Sequence, residues 1–267
     1  AIDKAQELGY RTVLCDYLPD NPGQQHADSF HLVSTTDRDA VLEVALAESV
    51  DGIVAYGSDP AAPTAAYVAQ KLGLPGNPLQ SVESFCDKAR FRTLLKNGGF
   101  PCPGFFAVAA GADAGGIASA AEGLSAPFVV KPVDSSGSKG VSVVNGREGL
   151  ARAVDAALLH SRSKVAIVEE IVHPGRYGVV EAEVFVVKGI VRSWVLMQSV
   201  RGREVNPLVP TLSIHRPHLP DIIERHVRCE IQRLVDAAGI LNGPMNIEMM
   251  VGDKGEVCFI DVGPRNG

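Results

Sequence analysis

The sequence predicts an α/β protein, and three stretches carry that prediction. The first 80 residues alternate short apolar segments with helical segments, which is typical of a small doubly wound unit around a parallel sheet. Residues 128–144 indicate a strand, a polar glycine-containing loop and a second strand. Residues 243–262 indicate two more strands around a Gly-Asp-Lys-Gly turn, with carboxylates on one face.

Length, charge and cysteine content narrow the class of protein. A chain of 267 residues can bury one large core or two or three smaller ones. The net charge is −6 and no basic run occurs, which argues against a nucleic-acid partner, and no apolar run is long enough to cross a membrane. The five cysteines are scattered without CxxC spacing, so we expect reduced thiols in a cytoplasmic protein. The chain opens inside a predicted helix and stops just after a predicted strand, so we expect the natural protein to continue at both ends.

The first section contains two candidate ligand positions. Its predicted elements are strands at residues 12–16 and 51–56 and helices at 39–49 and 58–72. Asp16 ends a strand, but no glycine fingerprint precedes it, so a structural role is favoured over ribose binding. Gly57, Ser58 and Asp59 follow the second strand, where ligands collect in open sheets, and they suit a helix cap equally well.

The rest of the chain divides at a proline-rich linker at residues 74–78. The predicted helices beyond it are residues 84–96, a weak one from about 117, 148–159 and 221–238. The predicted strands are 101–108, 128–130, 141–144, 164–169, 179–187, 190–197 and the two that flank residues 252–255. Residues 201–220 are polar and unpatterned, so we expect a functional or mobile segment there.

The loop between the strands of residues 128–144 suits a polyphosphate. Small residues let backbone N–H groups approach a ligand, serine hydroxyls add donors, and Lys139 adds positive charge. Lys131 stands near the end of the preceding strand. The same loop sequence also fits an ordinary hairpin turn, and the pattern by itself does not decide between the two.

The C-terminal hairpin predicts a divalent-cation site. Pairing Val251 with Glu256 sets Asn246 opposite Asp261, with Glu248 diagonal to Asp261. The other face is then apolar and carries Met245, Ile247, Met249, Val251, Cys258, Ile260 and Val262. Carboxylates on a hairpin in apolar surroundings favour a magnesium ion that brings nucleotide phosphates over a merely hydrated face.

Taken in order, these segments resemble the ATP-grasp superfamily, most closely its carbamoyl-phosphate-synthase-like and biotin-carboxylase-like branch. The similarity covers residues 74–267 and rests on the motifs DKARFR, FVVKPVDSSGSKGV, VEEIV and NIEMM…FIDVGPRNG. It implies an ATP-grasp fold, in which two α+β subdomains clasp ATP, preceded by a truncated Rossmann-like domain. The implied boundaries are residues 1–80 for that domain, 81–172 for the small subdomain with the phosphate flap, and 173–267 for the C-terminal subdomain with the magnesium-binding hairpin.

The resemblance also implies roles for the matched residues. Lys131 would contact the α-phosphate and adenine, Glu169 would face the adenine amino group, and Arg265 would stabilise the transferred phosphoryl group or the acyl phosphate. The implied catalytic residues are Arg265 and Lys131, and the implied ligands of Mg²⁺ or Mn²⁺ are Glu248 and Asp261. The implied nucleotide-binding residues are Lys88, Lys131, Ser135, Ser136, Gly137, Ser138, Lys139, Gly140, Glu169 and the backbone of Glu170 and Val172.

The implied activity is that of an ATP-dependent ligase that activates a carboxylate as an acyl phosphate, releases ADP and phosphate, and joins the acid to an amine. The alternatives are a bicarbonate-activating carboxylase or carbamoyl-phosphate-like enzyme, and a non-catalytic ATP-binding module. The last is motivated by Asp261 and Gly263, which stand where the family usually has glutamate and asparagine. Glu181 and Glu183 are both candidates for the ribose-binding acid. The implied partners are small molecules, with a homodimer among the open oligomeric states.

Overall fold

A computed structural model describes residues 1–201, 210–215 and 217–267. Within these ranges the helices are α1 Ile2–Glu7, α2 Arg38–Ala47, α3 Ala62–Leu72, α4 Leu79–Cys86, α5 Lys88–Asn97, α6 Ala114–Ala120, α7 Leu150–His160 and α8 Asp221–Ala238. The strands are β1 Val13–Asp16, β2 Ser29–Leu32, β3 Phe105–Ala109, β4 Phe128–Pro132, β5 Ser142–Val144, β6 Val165–Glu170, β7 Val179–Val187, β8 Ile190–Arg201, β9 Pro210–His215, β10 Asn242–Val251 and β11 Val257–Gly263. No helix of the described ranges is both long enough and apolar enough to span a membrane.

The first section has a two-stranded parallel sheet, but the prediction of its second strand is wrong. β1 pairs with β2, and residues 51–56 are not a strand. Val54 and Tyr56 are 83% and 66% exposed, whereas Ile53 packs with α2 and α3 residues. The segment is apolar in sequence, yet the described residues give its backbone no neighbouring strand, and a lone segment forms no ladder.

The predicted helix at residues 84–96 is two helices, α4 and α5, which meet at Asp87. Asp87 has an extended backbone, and its carboxylate accepts a hydrogen bond from the Arg90 N–H at 2.9 Å. This side chain therefore caps α5, because the first N–H groups of a helix have no partner inside it. The break also frees the Lys88 N–H, which donates to the Val133 carbonyl at 2.9 Å and attaches α5 to the end of β4.

A four-stranded sheet, in the order β3-β6-β4-β5, holds the first half of the site. All its pairings are antiparallel. Side chains alternate along β4, so Phe128 and Val130 are buried in the core with residues of α6 and α7. Val129 and Lys131 consequently point to the opposite face of the sheet, which is the face that lines the cleft.

A five-stranded antiparallel sheet, in the order β11-β10-β7-β8-β9, holds the second half. The amphipathic helix α8 buries Val227, Ile231, Leu234 and Val235 in a core that also contains α5 residues and the inner face of this sheet. Each such side chain contributes about 1.5–3 kcal/mol by leaving water. Within the segment 201–220, which the sequence predicts to be functional or mobile, residues 210–215 form β9, which pairs with β8. Residues 202–209 and 216 lie outside the described residues.

The β10–β11 hairpin forms as predicted but in a different register. Val251 pairs with Val257, and a bulge at Ile260 then brings Glu248 directly opposite Asp261. The extra residue also changes which β11 side chains are buried. Phe259 lies in the core with Val262, whereas Cys258 and Ile260 are only partly buried. Burial of the large Phe259 ring favours this register over the predicted one, which had placed Cys258 and Ile260 in the core.

Candidate active site

A cleft of about 250 Å³ separates the two antiparallel sheets. Most of the residues that the sequence resemblance selected line this one cavity: Lys88, Lys131, Ser135, Ser136, Gly137, Ser138, Glu169, Glu170, Val172, Glu248 and Asp261. Lys139, Gly140 and Arg265 are not among the lining residues. Val129, Val143, Met250 and Ile260 add apolar surface, so one cavity combines an apolar part with cationic, hydroxyl and acidic groups.

A buried ion-pair cluster forms the floor of the cleft. Glu169 is 4% exposed and binds two cations, Lys131 through Nζ to Oε2 at 2.7 Å and Arg92 through Nε to Oε1 at 2.9 Å. Burial would raise the pKa of Glu169, but the charges of Lys131 and Arg92 outweigh it and hold that pKa below its ordinary value. With all three groups ionised, the cluster carries one net positive charge, which favours an anionic ligand.

Both cations of the cluster line the cleft, and Lys131 is the more exposed of the two, with 12% of its side chain accessible against 2% for Arg92. Burial lowers the pKa of the Lys131 ammonium group, Glu169 opposes that effect, and the positive charges of Arg92 and Lys88 add to it. A phosphate group placed against Lys131 would supply the second negative charge that the cluster lacks. Glu169 therefore acts in this structure first as the anchor of Lys131.

Arg92 is a site residue that the sequence reasoning missed. It is 2% exposed, and besides Glu169 it contacts β11, with Nη2 donating to the Ile260 carbonyl at 2.9 Å and Nη1 to the Phe259 carbonyl at 3.3 Å. It thus connects α5, the strand of Glu169 and the strand of Asp261. The signal was available, because Lys88 and Arg92 are four residues apart and share one face of α5.

The loop after β4 is attached at its base by hydrogen bonds, whereas Ser136 and Gly137 near its tip are exposed. The Asp134 carboxylate accepts hydrogen bonds from the N–H groups of Arg162 and Ser163, at 3.1 and 2.7 Å. Lys88 Nζ donates to the Ser135 carbonyl at 2.8 Å. Gly137 has a φ of 66° and Ser138 one of 57°, so the tip follows the left-handed backbone path that glycine favours.

The segment after β6 is fixed from outside the cleft. The Glu170 carboxylate accepts hydrogen bonds from the N–H groups of Gly104 at 2.9 Å and Ser125 at 2.8 Å, and these bonds lower the pKa of Glu170. The Glu170 N–H donates to the Gly104 carbonyl. The carboxylate and the N–H of Glu170 are thus both bonded to residues that do not line the cavity, while Glu170, Ile171 and Val172 themselves form part of its wall.

Acidic side chains cross the facing sheet in a row. Glu181 on β7, Glu248 on β10 and Asp261 on β11 are register partners on adjacent strands. Within the described residues no group of three or more His, Cys, Asp or Glu side chains is placed to hold a metal ion unaided. Glu248 and Asp261 both line the cavity, so these oxygen donors fit a hard cation that brings phosphate and water ligands of its own.

The two candidate ribose-binding acids are already hydrogen-bonded. Glu181 accepts from the Ser213 hydroxyl at 2.8 Å. Glu183 accepts from the Asn246 amide at 2.7 Å and from the Gly267 N–H at 3.1 Å. Asn246 and Gly263 are register partners, so the side-chain amide on the strand position opposite Gly263 donates to Glu183.

A second cavity of about 210 Å³ adjoins the cleft. The two cavities share Lys88, Ser135, Ser136 and Asp261. Asp59 lines the second cavity and forms an ion pair with Arg265, whose side chain is 15% exposed. Arg265 is therefore held beside the second cavity, by a residue of the first section of the chain.

Three comparisons identify proteins with the same framework. The ATP-grasp domain family model matches residues 93–266. A formate-dependent phosphoribosylglycinamide formyltransferase of Synechococcus sp. (strain WH7803) is 36% identical over 169 residues, which are 62% of this chain and 43% of that protein. A carbamoyl phosphate synthase large chain of Thermotoga petrophila is 26% identical over an alignment of 271 positions, which covers 97% of this chain and 23% of that protein.

A solved structure extends the similarity to the fold. The L-amino acid ligase from Bacillus licheniformis superposes with a TM-score of 0.77 at 23% identity, over 99% of this chain and 63% of that one. The chain thus spans less than half the length of the two curated relatives. Since the family model covers well over half of the chain, and since the cleft lies between two sheets as the resemblance implied, the chain belongs to the ATP-grasp family.

Proposed function

We propose that the protein is an ATP-dependent ligase that activates a carboxylate as an acyl phosphate and joins it to an amine. The observation that carries this proposal is the meeting, in one cleft, of a buried lysine cluster and a pair of facing carboxylates. The lysine side suits the phosphates of ATP, and the carboxylate side suits the divalent cation that accompanies them. The formyltransferase and amino acid ligase names of the similar proteins support the same class of reaction.

The nucleotide would lie between Lys131 and the loop of residues 135–140. Lys131 and Lys88 would neutralise phosphate charge, and the serine hydroxyls and backbone N–H groups of the loop would bind phosphate oxygens. Glu248 and Asp261 would hold Mg²⁺ or Mn²⁺, which supplies further charge neutralisation to the phosphates. The apolar side chains Val129, Val143 and Met250 would contact the base.

The second cavity is the place we assign to the acid, because it shares Lys88 and Asp261 with the cleft. A carboxylate oxygen there would attack the γ-phosphorus of ATP, and the bond from that phosphorus to the bridging oxygen of ADP would break. The amine nitrogen would then bond to the acyl carbon, releasing phosphate and a proton. Positioning and charge neutralisation would supply most of the rate enhancement.

A second candidate function has its own support. The carbamoyl phosphate synthase relatives match 97% of this chain, including the first section. This favours activation of bicarbonate as the alternative to activation of an organic acid. The non-catalytic alternative predicts MgATP binding without turnover.

One assay separates these functions. The full-length protein is incubated with MgATP and pools of carboxylic acids and amines, with and without bicarbonate, and the nucleotides are separated by chromatography. We expect acid-dependent ADP and phosphate, abolished by Lys131→Ala and Glu248→Ala and retained by Lys96→Ala, an exposed lysine of α5. AMP and pyrophosphate would overturn the acyl-phosphate mechanism, and bicarbonate dependence without an organic acid would favour the second candidate.

Location and assembly belong to the same proposal. All five cysteines are free thiols, which suits a reducing cytoplasmic environment. A homodimer stays a prediction, and light scattering of the full-length protein after size exclusion tests it.

A further inference from the structure

Arg265 is held by a bidentate contact with Asp59. Nε lies 2.7 Å from Asp59 Oδ1, and Nη2 donates to Asp59 Oδ2 at 2.8 Å. Asp59 belongs to a 3₁₀ turn, Asp59–Ala61, in the first section of the chain. A second bond joins the same two segments, because the Gly57 N–H donates to Asn266 Oδ1 at 3.2 Å. The sequence motif of residues 57–59 is therefore attached to the segment that carries Arg265.

The contact leaves part of the guanidinium group available. Arginine has five N–H donors. Nη2 donates one to Asp59 and Nη1 donates one to the Asn266 carbonyl at 3.1 Å, while Nε makes an ion-pair contact with Asp59 and, within the part of the chain that the structure describes, no hydrogen bond. One N–H then remains on each terminal nitrogen, counted over the described residues. Two such donors form a fork that matches an oxyanion, so Asp59 fixes one edge of the arginine and presents the other.

Gly263 provides the space for this contact. A Cβ atom on Gly263 would lie 2.7 Å from Arg265 Cζ and 2.7 Å from Asp59 Oδ1. The φ of Gly263 is not in the left-handed region, so the backbone would accept a side chain there, but that side chain would have to displace the ion pair. Carbon atoms normally stay about 3.5–4.0 Å apart, so an added methyl group would displace the guanidinium group by about 1 Å.

We propose that Asp59 is a positioning residue for Arg265 and that Gly263, where the sequence pattern of the family has asparagine, is the adaptation that admits their contact. This inference rests on the proposed function, since Arg265 acts on the transferred phosphoryl group only if the cleft carries out phosphoryl transfer. It gives the first section of the chain a part in the site. It also relates the glycine at residue 263 to the Arg265–Asp59 contact, so Gly263 by itself does not argue for the non-catalytic interpretation.

The variants are Asp59→Asn, Gly263→Ala and the double variant, with Asp155→Asn and Gly52→Ala as controls. Asp155 is an exposed residue of α7, and an added Cβ on Gly52 meets nothing within 4 Å. Calorimetry on the full chain measures the dissociation constant of MgADP, alone and with aluminium fluoride, which mimics the phosphoryl group in transfer. Thermal unfolding of each variant shows that it folds.

We expect both single variants to bind MgADP with a dissociation constant within about twofold of that of the native chain. The tightening caused by aluminium fluoride should fall by about tenfold or more, because a displacement of 1 Å at a reacting centre can lower a reaction rate by about 100-fold. In the double variant, the tightening should be at most about threefold smaller than in the single variant that loses more of it, because both changes remove the same contact. Full tightening in either single variant, or additive losses in the double variant, would overturn the inference. If the native chain binds MgADP but aluminium fluoride does not tighten that binding, the inference is also overturned. If the native chain does not bind MgADP at all, the proposed function itself is overturned.

Discussion

Replacing Arg92 by methionine tests the buried cluster on which the cleft is built. Methionine keeps a long unbranched chain that can fill the space, but it removes the charge that faces Glu169 and the donors that reach the Ile260 and Phe259 carbonyls. Removing one partner of a buried ion pair costs about 3–5 kcal/mol when the remaining charge is left unpaired. Lys131 still pairs with Glu169, so we expect the low end of this range, about 3 kcal/mol, a decrease of about 150-fold in the ratio of folded to unfolded protein.

The matched control is Arg90→Met in the same helix. Arg90 is 59% exposed and pairs with Glu83 at 3.0 Å. Exposed pairs contribute about 0.2–1 kcal/mol, so we expect the control to lose no more than that. Urea unfolding at pH 7, followed by circular dichroism, measures both changes. Equal losses in the two variants, or a loss below about 1 kcal/mol for Arg92→Met, would refute the assignment of Arg92 as a structural charge of the cleft.

The direction in which the stability of the protein changes at acid pH also follows from this cluster. The pKa of Glu169 in the folded protein is below its ordinary value, so its stabilising contribution is full above that ordinary value and is lost as the pH falls through the folded pKa. Arg92 is one of the two cations that lower it. The variant should therefore lose the contribution of Glu169 at a higher pH than the native chain does. An unchanged acid transition would contradict the pairing of Arg92 with Glu169.

Three further predictions concern the metal ligands, the loop and the thiols. Glu248→Gln should raise the Mg²⁺ concentration for half-maximal MgADP binding by about tenfold, as a magnesium titration followed by calorimetry would reveal, because an amide is a weaker ligand for a hard cation than a carboxylate. Gly137→Ala should weaken MgADP binding by about 1–2 kcal/mol, because an alanine at a φ of 66° strains the loop. The control Gly123→Ala, in open space and without a positive φ, should leave the affinity for MgADP unchanged. Equal affinities in the two variants would disprove the role of the loop. At pH 8 iodoacetamide should label the exposed Cys229 before Cys86, because burial raises the pKa of the Cys86 thiol to about 12. Faster labelling of Cys86 in a mass-spectrometric time course would contradict the burial of that thiol.

Much of the cleft could be predicted because local chemistry marks it. The apolar run 128–130, followed by Lys131 and a loop of small polar residues, can be recognised without any tertiary information. The bounds of α8 agree with the predicted helix at residues 221–238, since its apolar spacing and the closing Gly239 are local signals. The same holds for the acidic residues Glu248 and Asp261.

Strand pairing and hairpin register depended on packing between segments that are distant in the sequence. Residues 51–56 have strand composition, but a strand requires a neighbour, and β1 found its neighbour in β2. The bulge at Ile260 follows from burial of Phe259 against Phe100, with ring centres 5.7 Å apart, and no pattern within the hairpin contains that contact.

The sequence alone determined the family, the strand–loop–strand that offers Lys131, and the acidic hairpin, because each depends on residues that are neighbours along the chain. Only the tertiary structure decided what holds these groups in place. Arg92 reaches Glu169 and the carbonyls of β11 across 77 to 168 positions of sequence, and Arg265 reaches Asp59 across 206. Ion pairs between distant segments leave no periodicity in a sequence, because the burial that makes them strong arises when separate elements pack together.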